Sequence, residues 1–183
     1  MREVDKNFVI QLLHSDLWRM RILRTARSLN LPDWCISAGF VRNMVWDHLH
    51  GIHSTKTDID VVYFDAKNTE EDVEKEYEHA LSAILDEPWS VKNQARMALR
   101  NKQVYRSTED AIAHYPETAT AVGVRLERGG TITLIAPYGI EDVTSGIIRA
   151  TPKFSLGHTG VLERCKKKGW LATWPKLQVR DIL

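Results

Sequence analysis

The sequence predicts an α/β (α+β) domain, a mixed β-sheet with helices packed on it. Two features carry that expectation. Its segments alternate strand, helix, strand, helix, strand, and a hairpin that must be antiparallel follows them. With 183 residues and 43% hydrophobic content, the chain fits one domain with a sizeable core. We expect a single unit over residues 1–183, with its core over about residues 30–150 and helical additions at both ends.

Residues 6–29 carry Leu13, Leu17, Met20 and Leu23 at helical spacing. "NLPD" stops that region, because proline disfavours helix in the residue before it. "WCISAGF" reads as a short strand running into a glycine turn. "VRNMVWDHLHG" reads as a helix with Val41, Val45, Trp46 and Leu49 on one side and Gly51 as its stop. The strand "TDIDVVYFD", residues 57–65, comes next. A charged helix over about residues 69–86 buries Val73, Tyr77, Ala80, Leu81 and Ile84, and Pro88 ends it. "WSVKNQARM" is a third strand that turns helical later. Ser107 or Thr108 is a helix N-cap with acidic residues in the first turn. "TATAVGVRLERGGTITLIAP" is a hairpin joined at Gly129-Gly130. A helix over about residues 155–168, closed by Gly169, completes the pattern, and no internal repeat interrupts it.

The charges nearly cancel. There are 25 basic and 24 acidic residues, so nothing global argues for a nucleic-acid or membrane surface, although a local basic patch stays open. Cys35 and Cys165 stand far apart and outside any zinc spacing, so we expect a reducing, cytoplasmic setting. "MREVDKNFVI" lacks the apolar run of a signal peptide. No segment approaches the roughly 18 apolar residues of a membrane span, and we expect no membrane partner.

Chemistry concentrates in "TDIDVVYFD". Asp58 and Asp60 share a strand face and stand about 6.6 Å apart along it, in a residue type that strands avoid. Two charges about 5 Å apart repel by about 3 kcal/mol at an effective dielectric near 20. Ile59, Val61 and Tyr63 on one face and Val62 and Phe64 on the other mark a strand covered on both sides. The carboxylates therefore sit at the mouth of a core strand. They are held either by protein cations, such as Lys56 or an arginine, or by Mg²⁺, which takes hard carboxylate and phosphate oxygens. Asp65, at the far end on the other face, reads as a turn or cap residue.

The preceding bend, Ala38-Gly39-Phe40, opens a helix beginning Val41-Arg42-Asn43. Glycine there permits close backbone approach, and a helix N-terminus with open N–H groups favours anions. Arg42 adds a planar fork of donors suited to phosphate. If the two strands are neighbours, bend and carboxylates together form a phosphate-plus-metal site.

Other features weigh less. Alternation puts Lys92, Gln94 and Arg96 on one face and Asn93 on the other. That row is either a base- or phosphate-recognition row beside the aspartates or an edge strand guarded by lysine. His48, His50 and His53 lack the spacing of a helical zinc pair and read as helix-end packing. Arg164 and Lys166 to Lys168 either complement a helix C-terminus or touch a phosphate backbone. Trp34, Trp46 and Trp89 adjoin apolar runs and read as core.

Strand, "AGF" bend, helix and "DID" together resemble the polymerase-beta-like nucleotidyltransferase superfamily, whose core pattern is a glycine turn followed by a spaced acidic pair. More closely, "SAGFVRNMVWDHLHG", "TDIDVVYFD", "WSVKNQARM", "TATAVGVRL" and "IAPYGIEDV" are similar in order to a bacterial family of small nucleotidyltransferase-like proteins, over about residues 30–150. The resemblance implies a mixed-sheet nucleotidyltransferase fold. It implies Asp58 and Asp60 as catalytic residues holding Mg²⁺ or Mn²⁺, and Gly39, Phe40, Arg42 and Asn43 at the triphosphate. Lys92, Gln94 and Arg96 would contact the nucleotide. The implied reaction is in-line attack on the α-phosphorus of a nucleoside triphosphate by an acceptor, which is a small molecule, a protein or RNA.

The sequence departs from that pattern twice. Phe40 follows the turn glycine where a small residue is usual. No third acid follows on the next strand, where Asn93 stands and would give a metal only a neutral oxygen. A site of charge −2 binds a second ion more weakly than one of −3, so a nucleotide- or RNA-binding protein without turnover is the alternative. A structural domain with its aspartates paired to protein cations is the third.

Overall fold

The computed structural model describes residues 3–54 and 58–180. The N-terminal amphipathic region folds as two helices, α1 (Glu3–Ser15) and α2 (Leu17–Ser28). Asp16 separates them because its side chain accepts the Arg19 N–H at 2.9 Å and caps the second helix. β1 (Cys35–Ser37) runs into α3 (Gly39–His50), which ends at Gly51 in the left-handed region, φ 64°. β2 (Ile59–Tyr63), α4 (Glu71–Ile84) and β3 (Trp89–Asn93) follow. α5 (Gln94–Asn101) and α6 (Thr108–Ile112) precede the hairpin of β4 (Gly123–Leu126) and β5 (Ile132–Ile135). The remainder is α7 (Glu141–Thr144), β6 (Ile147–Arg149), α8 (Gly157–Lys168), α9 (Trp170–Thr173) and β7 (Gln178–Arg180).

Five strands form one mixed sheet in the order β3-β2-β1-β4-β5. β2 and β3 are parallel, and the other neighbours are antiparallel. β6 and β7 make a separate parallel pair. On one face, Ile36, Ile59, Val61, Val91 and Val124 join the main core, with Leu23, Val45, Leu81 and Trp170 from the surrounding helices. On the other face, Cys35, Val62 and Ile135 meet Ile112 and Ala121 in a smaller cluster flanked by Tyr115 and Tyr138. Gly123 belongs to that face, where a Cβ would lie 2.8 Å from Cys35 Sγ. Asp60 stands on this thinly covered side, because it alternates with Val61 and shares its face with Val62.

The hairpin strands are shorter than the sequence suggests. Residues 117–122 wind in turns, with the N–H groups of Thr120 and Ala121 both donating to the Glu117 carbonyl. β3 is an edge strand. Its outward N–H groups at Val91 and Asn93 donate to Glu78 and Glu74 of α4, each at 2.8 Å, which closes the edge against further pairing. Trp34, Trp46 and Trp89 are buried as expected. His48 packs edge-on against Phe8, and His50 bonds the Trp46 carbonyl and the Lys176 N–H, so both histidines serve the end of α3.

Candidate active site

β1 and β2 are antiparallel neighbours, with Cys35 opposite Val62 and Ile36 opposite Val61. Continuing that register sets Ser37 opposite Asp60. The bend that follows Ser37 therefore lies beside the two aspartates, as the strand order required.

Within the bend it is Ala38 that carries the unusual backbone, φ 56° and ψ −115°, and Gly39 is the first helical residue. An L-residue in that conformation costs on the order of 1–3 kcal/mol, and such strain concentrates at functional sites. Ala38 sits at the N-cap of α3, where its methyl group cannot accept a hydrogen bond. Its N–H donates to Val122 O at 2.8 Å, and its carbonyl accepts from Val41 and Arg42. The N–H groups of Gly39 and Phe40 have no acceptor among the described residues. The Phe40 ring is fully buried in the main core and packs against Trp18. Its bulk therefore lies in the core, which removes the steric objection that the sequence raised.

Behind the bend, Arg42 and Asn43 are both buried. The Arg42 guanidinium donates to Thr120 Oγ1 at 2.8 Å and to Asn43 Oδ1 at 2.9 and 3.1 Å. It lies over two indoles, 5.0 Å from the Trp46 centroid and 4.4 Å from the Trp170 centroid. Burial pulls its pKa down to about 10, with Glu117 and Asp60 pulling the other way.

Asp58 is exposed and Asp60 partly buried. Burial, and then the neighbouring Asp58 charge, push the Asp60 carboxyl above its ordinary value, while Ser90, Arg42 and Lys168 counter in part. Neither aspartate has an ion pair among the described residues. Lys56, the cation expected to neutralise them, lies outside the described residues.

The strand-face row does not survive intact. β3 ends at Asn93 and α5 starts at Gln94, so alternation no longer applies beyond that point. Arg96 turns to α4, where Nε and a terminal nitrogen donate to Glu74 at 2.8 and 2.7 Å. Lys92 lies 3.0 Å from Glu78 and 3.5 Å from Glu74. Asn93 pairs with Tyr63 on the face opposite Asp60 and caps α5, so the fold does not bring it to the acidic pair. Among the described residues, no group of three or more His, Cys, Asp or Glu side chains is placed to hold a metal ion. Asp65 makes the turn expected of it, accepting the Lys67 N–H at 2.8 Å.

Asp60, Lys92 and Gln94 do share a cleft of about 320 Å³, lined also by Ala38, by residues of α5 and α6, and by Tyr115. The sequence reading did not single out Asn101, Tyr105, His114 or Tyr115 in its lining. They arrive there because α5 and α6 fold back over the sheet, and no local pattern announces that.

A mixed sheet, a strained strand-to-helix bend and an acidic pair at the adjoining strand define the polymerase-beta-like nucleotidyltransferase fold. The chain belongs to the nucleotidyltransferase family, whose profile matches residues 24–179. Among solved structures, an NMR structure described as revealing a CCA-adding enzyme head domain is 31% identical, with TM-score 0.82 over 95% of each chain. The Thermotoga maritima CCA-adding enzyme complexed with tRNA superposes with TM-score 0.58 at 16% identity, over 94% of this chain and 42% of that one. A CCA-adding enzyme in complex with CTP gives TM-score 0.57 at 18% identity, again over 94% and 42%. The last two share the fold, and this chain spans about two fifths of their length. A search among curated proteins finds no match.

Proposed function

We propose that the protein is a Mg²⁺- or Mn²⁺-dependent nucleotidyltransferase that moves a nucleoside monophosphate from a nucleoside triphosphate to an acceptor. One observation carries this reading: two carboxylates with no ion pair among the described residues adjoin an uncapped helix N-terminus. The donor set suits a hard dication, since both groups are carboxylates and Asp58 is open to solvent. Asp58 and Asp60 would hold the ion, which when bound neutralises phosphate oxygens.

The remaining work falls to the chain. The N–H groups of Gly39 and Phe40 receive the β- and γ-phosphates, aided by the positive end of α3. Arg42 adds positive charge behind them and holds Asn43 in place. An acceptor oxygen attacks the α-phosphorus, the bond to the bridging oxygen breaks, and pyrophosphate leaves towards the bend. Lys92 and Gln94 border the same space, whereas the Arg96 ion pair and the Asn93 cap leave those two outside it.

The lack of a third acidic group at the pair among the described residues favours a second reading, a nucleotide- or RNA-binding protein without turnover. Pyrophosphate release from a labelled triphosphate separates the two. The tRNA- and CTP-bound structural neighbours make a tRNA 3′ end and CTP the first pair to try. Small-molecule and protein acceptors follow. The enzyme releases pyrophosphate with Mg²⁺ and stops in Asp58→Asn and Asp60→Asn. Tight nucleotide binding with no release for any acceptor selects the binding protein.

A further inference from the structure

We infer that the cleft beside Asp60 receives the base and ribose of the nucleotide, with Gln94 and Tyr105 as its recognition residues. This rests on the reading of Asp58, Asp60 and the bend as the phosphate site. Ala38 and Asp60 line the cleft together with Asn101 and Tyr105, so a nucleotide with its phosphates at the bend has this adjoining space for its other end.

The chemistry of the walls suits an uncharged planar group and disfavours phosphate. Among the described lining residues, Lys92 is the sole lysine or arginine, and its ammonium is already engaged by Glu78 and Glu74. With that cation already paired, the cleft offers little to a phosphate group, whereas the bend offers open N–H groups.

In the lining of the cleft the Tyr105 and His114 rings lie 4.8 Å apart at 49°, an aromatic surface on which a base can stack. His114 is anchored by its Nδ1 contact to the Asp110 carbonyl at 2.8 Å. The buried Gln94 amide donates Nε2–H to Lys92 O at 3.2 Å. Only its NH₂ can make that bond, so Oε1 is the end left over, and it has no partner among the described residues. It offers an acceptor to the N–H edge of a base. Tyr115 closes the Asp60 end, its hydroxyl 3.1 Å from Ser37 Oγ.

Calorimetric titration of the full chain with ATP and with tripolyphosphate, both with Mg²⁺, tests the assignment. Tyr105→Ala and Gln94→Leu are expected to weaken ATP binding by about tenfold each and leave tripolyphosphate binding unchanged. Tyr105→Phe, which keeps the ring, should bind ATP like the wild type. Asn101→Ala, at an exposed position beside Tyr105, replaces either variant that fails to fold. If both ligands weaken together, or ATP binding is unchanged in every variant, the cleft assignment is overturned while the phosphate site stands. Unchanged ATP binding with lost turnover would instead make the cleft the acceptor's, which also overturns it. If the wild type binds neither ligand, the phosphate-site reading itself fails.

Discussion

Asn93 Oδ1 accepts the Asp65 N–H at 3.1 Å, and Asn93 Nδ2 donates back to the Asp65 carbonyl at 2.8 Å. The reciprocal pair ties the exit of β2 to the end of β3. Bonds to the Ala95 N–H at 3.0 Å and the Asn68 carbonyl at 2.7 Å use the remaining capacity of the amide. Asn93→Asp would press a second oxygen against two carbonyls. We expect it to cost about 2–3 kcal/mol in urea denaturation and to leave Mn²⁺ affinity unchanged. Tighter Mn²⁺ binding would show that residue 93 reaches the ion after all.

Asp60 carries an opposite signature. Burial and the Asp58 charge raise its folded-state carboxyl above the ordinary value, so the folded protein holds that proton to higher pH than the unfolded chain. The metal-free protein therefore loses stability as pH rises from the unfolded value through the folded one, and stays lowered above it. Asp60→Asn should raise the metal-free Tm at pH 7 by about 2 °C or more, a gain that fades towards pH 3. Added Mg²⁺ should then stabilise the wild type and leave the variant where it is. Thermal melts with and without the ion read both effects.

Glu74 is fully buried, yet it holds the Arg96 fork, the Asn93 N–H and the Lys92 ammonium. Burial pushes its carboxyl up, and these partners outweigh that, so it titrates below the ordinary 4.5. Its contribution is present above the unfolded value and disappears as pH falls through the folded one. Glu74→Gln leaves the Arg96 charge only the exposed Glu71 carboxylate, 3.6 Å away, and should cost about 3 kcal/mol at pH 7. The gap between variant and wild type should narrow in acid, as pH-dependent urea curves would reveal.

Ala38 supplies a backbone test. Glycine enters positive φ without the Cβ penalty but gains freedom in the unfolded chain. Ala38→Gly is expected to stabilise by about 1 kcal/mol, the strain relief exceeding the entropy loss. Ala38→Val, with a branched Cβ in the same conformation, should destabilise by about 2 kcal/mol or more. Equal stability of the two variants in denaturant melts would show that the bend is unstrained.

Much of the frame was legible because its signals are local. The helix stops at Gly51 and Gly169, the Ser107 cap and the Gly129-Gly130 turn all lie where the residues point. The row from Lys92 to Arg96 breaks because β3 ends at Asn93, beyond which strand alternation no longer holds. Asparagine at 93, a strong N-cap residue, was the signal for that change. Nothing local could have shown that Phe40 turns into the core or that Ala38 takes the strain, since β1 and α3 impose both together.

From residue spacing alone came the place of Asp60 on a core strand, the mixed character of the sheet and the bend ahead of a helix. These follow from periodicities of 2 and 3.6 and from the φ preferences of single residues, which each short segment carries with it. Folding in three dimensions settled which groups meet. It set the bend beside the acidic pair, gave Arg96 to Glu74 and Asn93 to Asp65, and brought Tyr105 and His114 over the sheet. Those outcomes depend on partners distant in the chain, whose burial and charge no single segment encodes.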